Sequence, residues 1–178
     1  MTVDKGMKLE IPDWVLKEVN KRLVQGLEEA TCTKHPISAV LWSQDGFFVS
    51  GANGPPQGFK DYCIPCPRLH SPSGEDMHLC PAIHGEMAAI LNAAKEGTST
   101  KGGALFISCG LPCKDCMKEI IKAGVSHIIS PYPLKLVDRE DKFRSAESYN
   151  FKLAYEMMKD CGVEYIHEPR LMKEDWKE

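Results

Sequence analysis

Two short clusters of metal-seeking side chains constrain this chain more than any other stretch. They are His84-Gly85-Glu86 and Pro112-Cys113-Lys114-Asp115-Cys116, whose first cysteine lies 29 residues beyond His84. One imidazole and two thiolates are soft donors in the number a catalytic zinc keeps, three protein ligands with the fourth position open. Each cluster falls where a helix should begin. Pro81 precedes the apolar run Met87, Ala88, Ala89, Ile90 and Leu91, and Pro112 precedes Met117, Ile120 and Ile121. Cys113 and Cys116 are three apart, so a helix presents both sulfurs on one face, and its positive end favours their thiolate form. Glu86, two residues from His84, points elsewhere on a helix, which suits a proton carrier beside a metal rather than a ligand. A CxxC pair alone equally fits a redox couple or a structural zinc, and HxE alone is a chance match. In this order, with a proline before the first cysteine and a predicted strand between them, they point to one hydrolytic zinc centre.

The remaining composition is that of a globular domain. The 178 residues are 43% hydrophobic and 26% charged, enough for one domain with a sizeable core. Residues 1-178 read as a single domain whose core covers about 12-166. Formal charge is 22 minus 25, or -3, and the basic residues are scattered. That lacks the footprint of a long nucleic acid and favours a small-molecule partner. No long apolar stretch follows Met1-Thr2-Val3-Asp4-Lys5-Gly6, so neither a signal peptide nor a membrane span is expected, and the expected location is cytoplasmic. Eight cysteines grouped with histidines at short spacings fit metal binding in a reducing compartment better than a disulfide framework.

Along the chain, Val15, Val19, Leu23 and Leu27 recur every four residues beside Leu16 and Val24, which predicts a helix from Pro12 to Glu29. Ile37 to Trp42 and Phe47 to Val49 read as strands joined by Ser43-Gln44-Asp45-Gly46, an Asp-Gly hairpin signal. From Gly51 to Pro81 periodicity disappears and Gly, Pro, Cys, His and Ser take over, giving a long loop insertion over about residues 53-81. The His84 helix should close near Gly97, a strand run from Ala104 to Ser108, and the Cys113 helix stop at Gly124 before a strand His127 to Ser130. A last helix is predicted from Ser145 to Asp160, then a strand Val163 to Ile166, with the tail after His167 on the surface. This order implies an α/β fold, a three-layer α-β-α sandwich around a mixed five-stranded sheet.

That element order, with HxE opening the second helix and PCxxC the third, resembles the cytidine deaminase superfamily. Cys32-Thr33-Lys34-His35 before the first strand, and Gly51-Ala52-Asn53-Gly54 with Gly58 and Cys63 after the second, resemble its deoxycytidylate (dCMP) deaminase branch, over about residues 30 to 135. The resemblance implies a zinc held by His84, Cys113 and Cys116, with Glu86 as the catalytic acid and base. It assigns substrate contacts to Asn53, whose amide both donates and accepts, and to Lys34, near the substrate phosphate where arginine is commoner. It also places Tyr132 where an aromatic lines the base pocket. Without the resemblance, Asn53-Gly54 is a turn pair, Lys34 and His35 a solvated strand start, and Tyr132 a loop tyrosine. The chain departs from the family pattern at Gly85 for alanine, Ala88 for asparagine and Cys109 for threonine.

The long loop carries Cys63, Cys66, His70, His78 and Cys80, more soft ligand than a surface loop needs. CxxC followed by HxC fits a closed structural zinc on Cys63, Cys66, His78 and Cys80, against the alternative of metal-free loop thiols. Some members of the branch carry a second zinc that the cysteine matching Cys32 can join. The expected function is hydrolytic deamination of dCMP to dUMP with release of ammonia, in pyrimidine nucleotide metabolism. The rivals are a deaminase of cytidine, a free base or another nucleotide, and a non-catalytic zinc-binding scaffold. By resemblance the chain would form a homo-oligomer, a hexamer, under allosteric control by dCTP and dTTP.

Overall fold

The computed structural model describes residues 9–134 and 149–172. Helix α1 (Asp13–Glu29) starts after Pro12, and its stripe Val15, Leu16, Val19 and Leu23 is fully buried, as the four-residue recurrence requires. Strands β1 (Ser38–Trp42) and β2 (Phe48–Ala52) pair antiparallel with Leu41 opposite Val49. Gly46 turns the hairpin at a φ of 85°, open to glycine at little steric cost.

Helix α2 (Gly85–Glu96), strand β3 (Ala104–Ile107), helix α3 (Lys114–Lys122), strand β4 (His127–Ser130), helix α4 (Phe151–Asp160) and strand β5 (Glu164–His167) then alternate. The sheet order is β2-β1-β3-β4-β5. β1 lies antiparallel to β2 and β3, whereas β3, β4 and β5 are parallel, because each helical crossover returns the chain in one direction. Successive strand residues serve opposite faces. Val40, Phe106 and Ile129 join α1, while Leu41, Leu105, Ile107 and Ile128 join Ala89 of α2, Met117 and Ile120 of α3, and Ala154 and Met158 of α4. The predicted mixed five-stranded sheet with helices on both faces is the observed architecture.

Two glycines let α2 sit close to the sheet. A Cβ on Gly51 would lie 2.1 Å from the Ala89 amide nitrogen, and one on Gly85 would lie 2.8 Å from the Ile37 carbonyl. The departure from alanine at position 85 therefore has a local reason: the chain entering β1 occupies that space.

Most boundaries fall within a residue or two of expectation, and three differ in ways that matter. β2 continues to Ala52, so the periodic stretch ends two residues later than the composition shift suggests. α4 begins at Phe151, because Asn150 adopts the left-handed conformation and its side chain accepts from the Leu153 amide at 3.1 Å. The residues 145–148 predicted to open this helix lie outside the described residues. Residues 168–172 fold back onto α1 instead of lying on the surface. Leu171 is 2% exposed within the α1 cluster, and Asn20 accepts from the Met172 amide at 2.7 Å.

An ion pair fastens this return. Arg170 donates to both oxygens of Glu168 at 2.8 Å and to Asp13 at 2.9 Å. The Arg170 hydrogen bond holds the Glu168 carboxyl below its ordinary range. A carboxyl depressed in the folded chain contributes stability above the unfolded value of 4.5 and loses it as pH falls through the folded value. Glu168→Gln should therefore melt below the parent at about pH 7, with the two melting temperatures converging as pH falls below the unfolded value and through the depressed folded one, as thermal scans across pH would read. A constant difference would assign the effect to packing.

Candidate metal centre and active site

His84 and Cys113 are the residues immediately before α2 and α3, in extended conformation, and neither side chain caps its own helix. Both are thus available to each other. His84 Nδ1 lies 3.6 Å from Cys113 Sγ and 3.3 Å from Cys116 Sγ. Zinc–sulfur bonds of about 2.3 Å and zinc–nitrogen bonds of about 2.0 Å at tetrahedral angles would separate N and S by about 3.5 Å, so the donor set and its spacing fit zinc. Among the described residues these three form the one group of His, Cys, Asp or Glu whose ligand atoms converge within 4.8 Å.

The metal-free electrostatics already favour a charged ligand set. Cys113 is lowered to about 4, first by the hydrogen bond from the Cys116 thiol and further by His84, while Cys116 is raised because it keeps the proton they share. His84 is raised to about 9, first by its hydrogen bond to Cys113 against the opposing cost of burial. Metal entry would displace the His84 and Cys116 protons.

Glu86 sits in the first turn of α2 and is 2% exposed. Burial raises its carboxyl, and the neighbouring His84 charge opposes that shift. Oε1 accepts from Cys109 Sγ at 3.7 Å, and Oε2 is buried with no hydrogen-bond partner among the described residues. A buried carboxyl with one oxygen held and one unclaimed can take up and release a proton beside the metal position.

The other predicted site residues are more engaged than the sequence suggested. Asn53 is 4% exposed, its Oδ1 accepting from the Ile37 amide at 2.9 Å and its Nδ2 donating to the His35 carbonyl at 2.7 Å. It ties the end of β2 to the start of β1, with one donor hydrogen left over. Lys34 Nζ donates to the Arg68 carbonyl at 2.8 Å and to the Ser71 carbonyl, so it clamps the long loop with two of its three N–H groups. Tyr132 follows β4 and is 52% exposed, and its backbone amide donates to Ser130 Oγ at 3.0 Å.

Cys32, Cys63, Cys66 and Cys80 line one small pocket together with Arg68. Burial first, then the neighbouring cysteines, pushes the Cys63 thiol up. His78, expected among the ligands, is exposed on the short turn Met77–Leu79 and lies outside that lining. Residues two apart across such a turn do not face one way, and Cys32, from the segment before β1, shares the lining instead. Arg68 is the residue sequence reasoning missed: a buried guanidinium whose Nε donates to the Glu75 carbonyl at 2.8 Å, inside a stretch whose composition reads as solvated loop. Cys109 was visible only as a departure from a pattern, without a signal for its contact with Glu86. All eight cysteines are free thiols.

The sheet and the site together define an α/β protein with a histidine–cysteine–cysteine metal position beside a buried carboxyl. The family described as the cytidine and deoxycytidylate deaminase zinc-binding region matches residues 15–130. The chain belongs to that family. It is 21% identical over 150 residues to the deoxycytidylate deaminase of Saccharomyces cerevisiae, covering 80% of this chain and 43% of that protein. It is 22% identical over 184 residues to the deoxycytidylate deaminase of Enterobacteria phage T2, covering 85% and 90%. The crystal structure of the dCMP deaminase of cyanophage S-TIM5 in complex with dCMP and dUMP shares the fold, with a TM-score of 0.59 at 21% identity, covering 88% of this chain and 98% of that one. This chain thus spans less than half the length of the yeast relative and most of the phage relative. No described helix is long and apolar enough to cross a membrane.

Proposed function

We propose that the chain catalyses the zinc-dependent hydrolytic deamination of dCMP to dUMP, releasing ammonia. One observation carries the reading: the converging His84, Cys113 and Cys116 beside Glu86, whose buried Oε2 is unclaimed. The names borne by the yeast and phage relatives support dCMP as the substrate. Bound by the three ligands, zinc supplies Lewis acidity at an open position and lowers the pKa of water there. Glu86 does the proton work. Its Oε2 accepts a proton from the attacking water, and its raised carboxyl lets it hold that proton and deliver it to N3 of the cytosine ring as the water oxygen bonds C4. The remaining hydroxyl proton passes through the same carboxylate to the exocyclic amine, the C4–N bond breaks, and ammonia leaves.

Asn53, Lys34 and Tyr132 complete the substrate site in this reading. The leftover amide hydrogen of Asn53 meets the sugar, the third N–H of Lys34 the phosphate, and the exposed Tyr132 ring the base. The pocket shared by Cys32, Cys63, Cys66 and Cys80 is the place for a second, structural zinc that would pin the long loop in a single domain over 1-178, and binding would have to draw these sulfurs closer than they stand. The partner is a nucleotide, not a nucleic acid or a membrane, and the setting is cytoplasmic. The chain assembles as a hexamer that responds to dCTP and dTTP. Ammonia release by the zinc-loaded protein from dCMP, CMP, deoxycytidine and cytosine, with and without dCTP, tests the proposal. Selective turnover of dCMP is expected. Turnover confined to an unphosphorylated substrate would move the protein to another branch, and none at all would leave a zinc scaffold.

A further inference from the structure

Among the described residues the side chain that meets the Glu86 carboxylate is a thiol, acting beside the carboxyl's hydrogen bond to its own backbone amide. Cys109 Sγ donates to Oε1 at 3.7 Å, while Oε2 lies buried without a partner among the described residues. Cys109 cannot drift away from this contact, because the backbone around it is pinned on two sides. Its carbonyl accepts from the fully buried Ser130 Oγ at 2.7 Å, at the end of β4. Its neighbour Ser108 is bonded in both directions to Ser38 of β1, the Ser108 amide donating to the Ser38 carbonyl at 3.0 Å and the Ser38 amide donating to Ser108 Oγ at 2.9 Å. The β3–α3 connection is thereby fixed relative to three strands, and the Cys109 sulfur is presented to α2 at a set position.

We propose that Cys109 is a positioning residue that orients the Glu86 carboxylate, holding Oε1 so that Oε2 is the oxygen that exchanges protons with water and substrate. The proposal deepens the deaminase reading above and rests on it. A carboxylate on a flexible glutamate stem rotates about its last torsion unless something holds one oxygen. A thiol is a weak donor at long range, so it sets direction while withdrawing little of the basicity that proton transfer needs. Cys109 does not touch the reacting atoms in this scheme and acts through Glu86.

Cys109→Ala and Cys109→Ser form the test, because both side chains leave similar space and only serine can donate. In the full-length, zinc-loaded protein, C109A should lower kcat for dCMP by about tenfold, as a misplaced proton carrier does, with KM nearly unchanged. C109S should recover most of that loss. Zinc content, melting temperature and the Kd for dUMP should agree between the two variants. A wild-type kcat in C109A would overturn the proposal, and so would an equal loss in C109A and C109S, which would assign the effect to packing. Wild-type turnover is read in the same assay, so failure of the deaminase reading is visible by itself. In that event crystal structures of the parent and C109A decide the matter: Glu86 in the same single rotamer in both overturns the proposal, and a released carboxylate in C109A sustains it.

Discussion

Glu86→Gln should keep its zinc and lose turnover of dCMP by about 10³-fold, the middle of the range for a positioned general acid and base. The zinc is retained because Glu86 is not among the converging ligand atoms, which belong to His84, Cys113 and Cys116. Turnover falls because the amide can neither accept the water proton nor deliver one to N3. Folding should not suffer. The parent buries a carboxyl whose Oε2 has no partner among the described residues and whose pKa is raised by that burial, so replacing it with a neutral group relieves a desolvation cost. A melting temperature at or above the parent's, together with unchanged zinc content, would separate loss of chemistry from loss of structure. Turnover within tenfold of the parent would remove Glu86 from the mechanism.

Cys113→Ser should cost more than activity. Loss of an outer-sphere partner typically weakens a metal site about 10- to 100-fold, and removing a ligand should exceed that. Cys113 is also the thiolate around which the metal-free site is arranged, accepting from Cys116 and pairing with His84, so the variant loses the charge that prepares the centre. Zinc per chain should fall by one equivalent, turnover should drop to background, and the melting temperature should fall, since binding to the native state contributes to stability. The remaining zinc content reports on the other cysteines. One equivalent left in Cys113→Ser places a second ion in the pocket of Cys32, Cys63, Cys66 and Cys80, and none leaves those four as free thiols. Full zinc occupancy with normal turnover in this variant would dismiss the proposed centre.

The chain could also be read locally with fair success, and the reason lies in where each signal is written. The ligand trio depends on an i, i+3 spacing and two helix starts, both properties of short segments, so His84, Cys113 and Cys116 were legible before any fold was known. The α1 stripe, the Asp-Gly hairpin and the strand–helix alternation are likewise local, and alternation alone implies the parallel half of the sheet. Other features depended on contacts between residues far apart in the chain. Lys34 meets carbonyls 34 and 37 positions away, and Asn20 meets Met172 across 152. The thiol of Cys109 reaches Glu86 across 23 residues and the whole of β3. Cys32 joins the loop cysteines where His78 does not. Periodicity records which face of an element is buried. It says nothing of which distant side chain will stand opposite a given atom once strands and helices have closed around one another, and for this protein that closure decided how the Glu86 carboxyl is held.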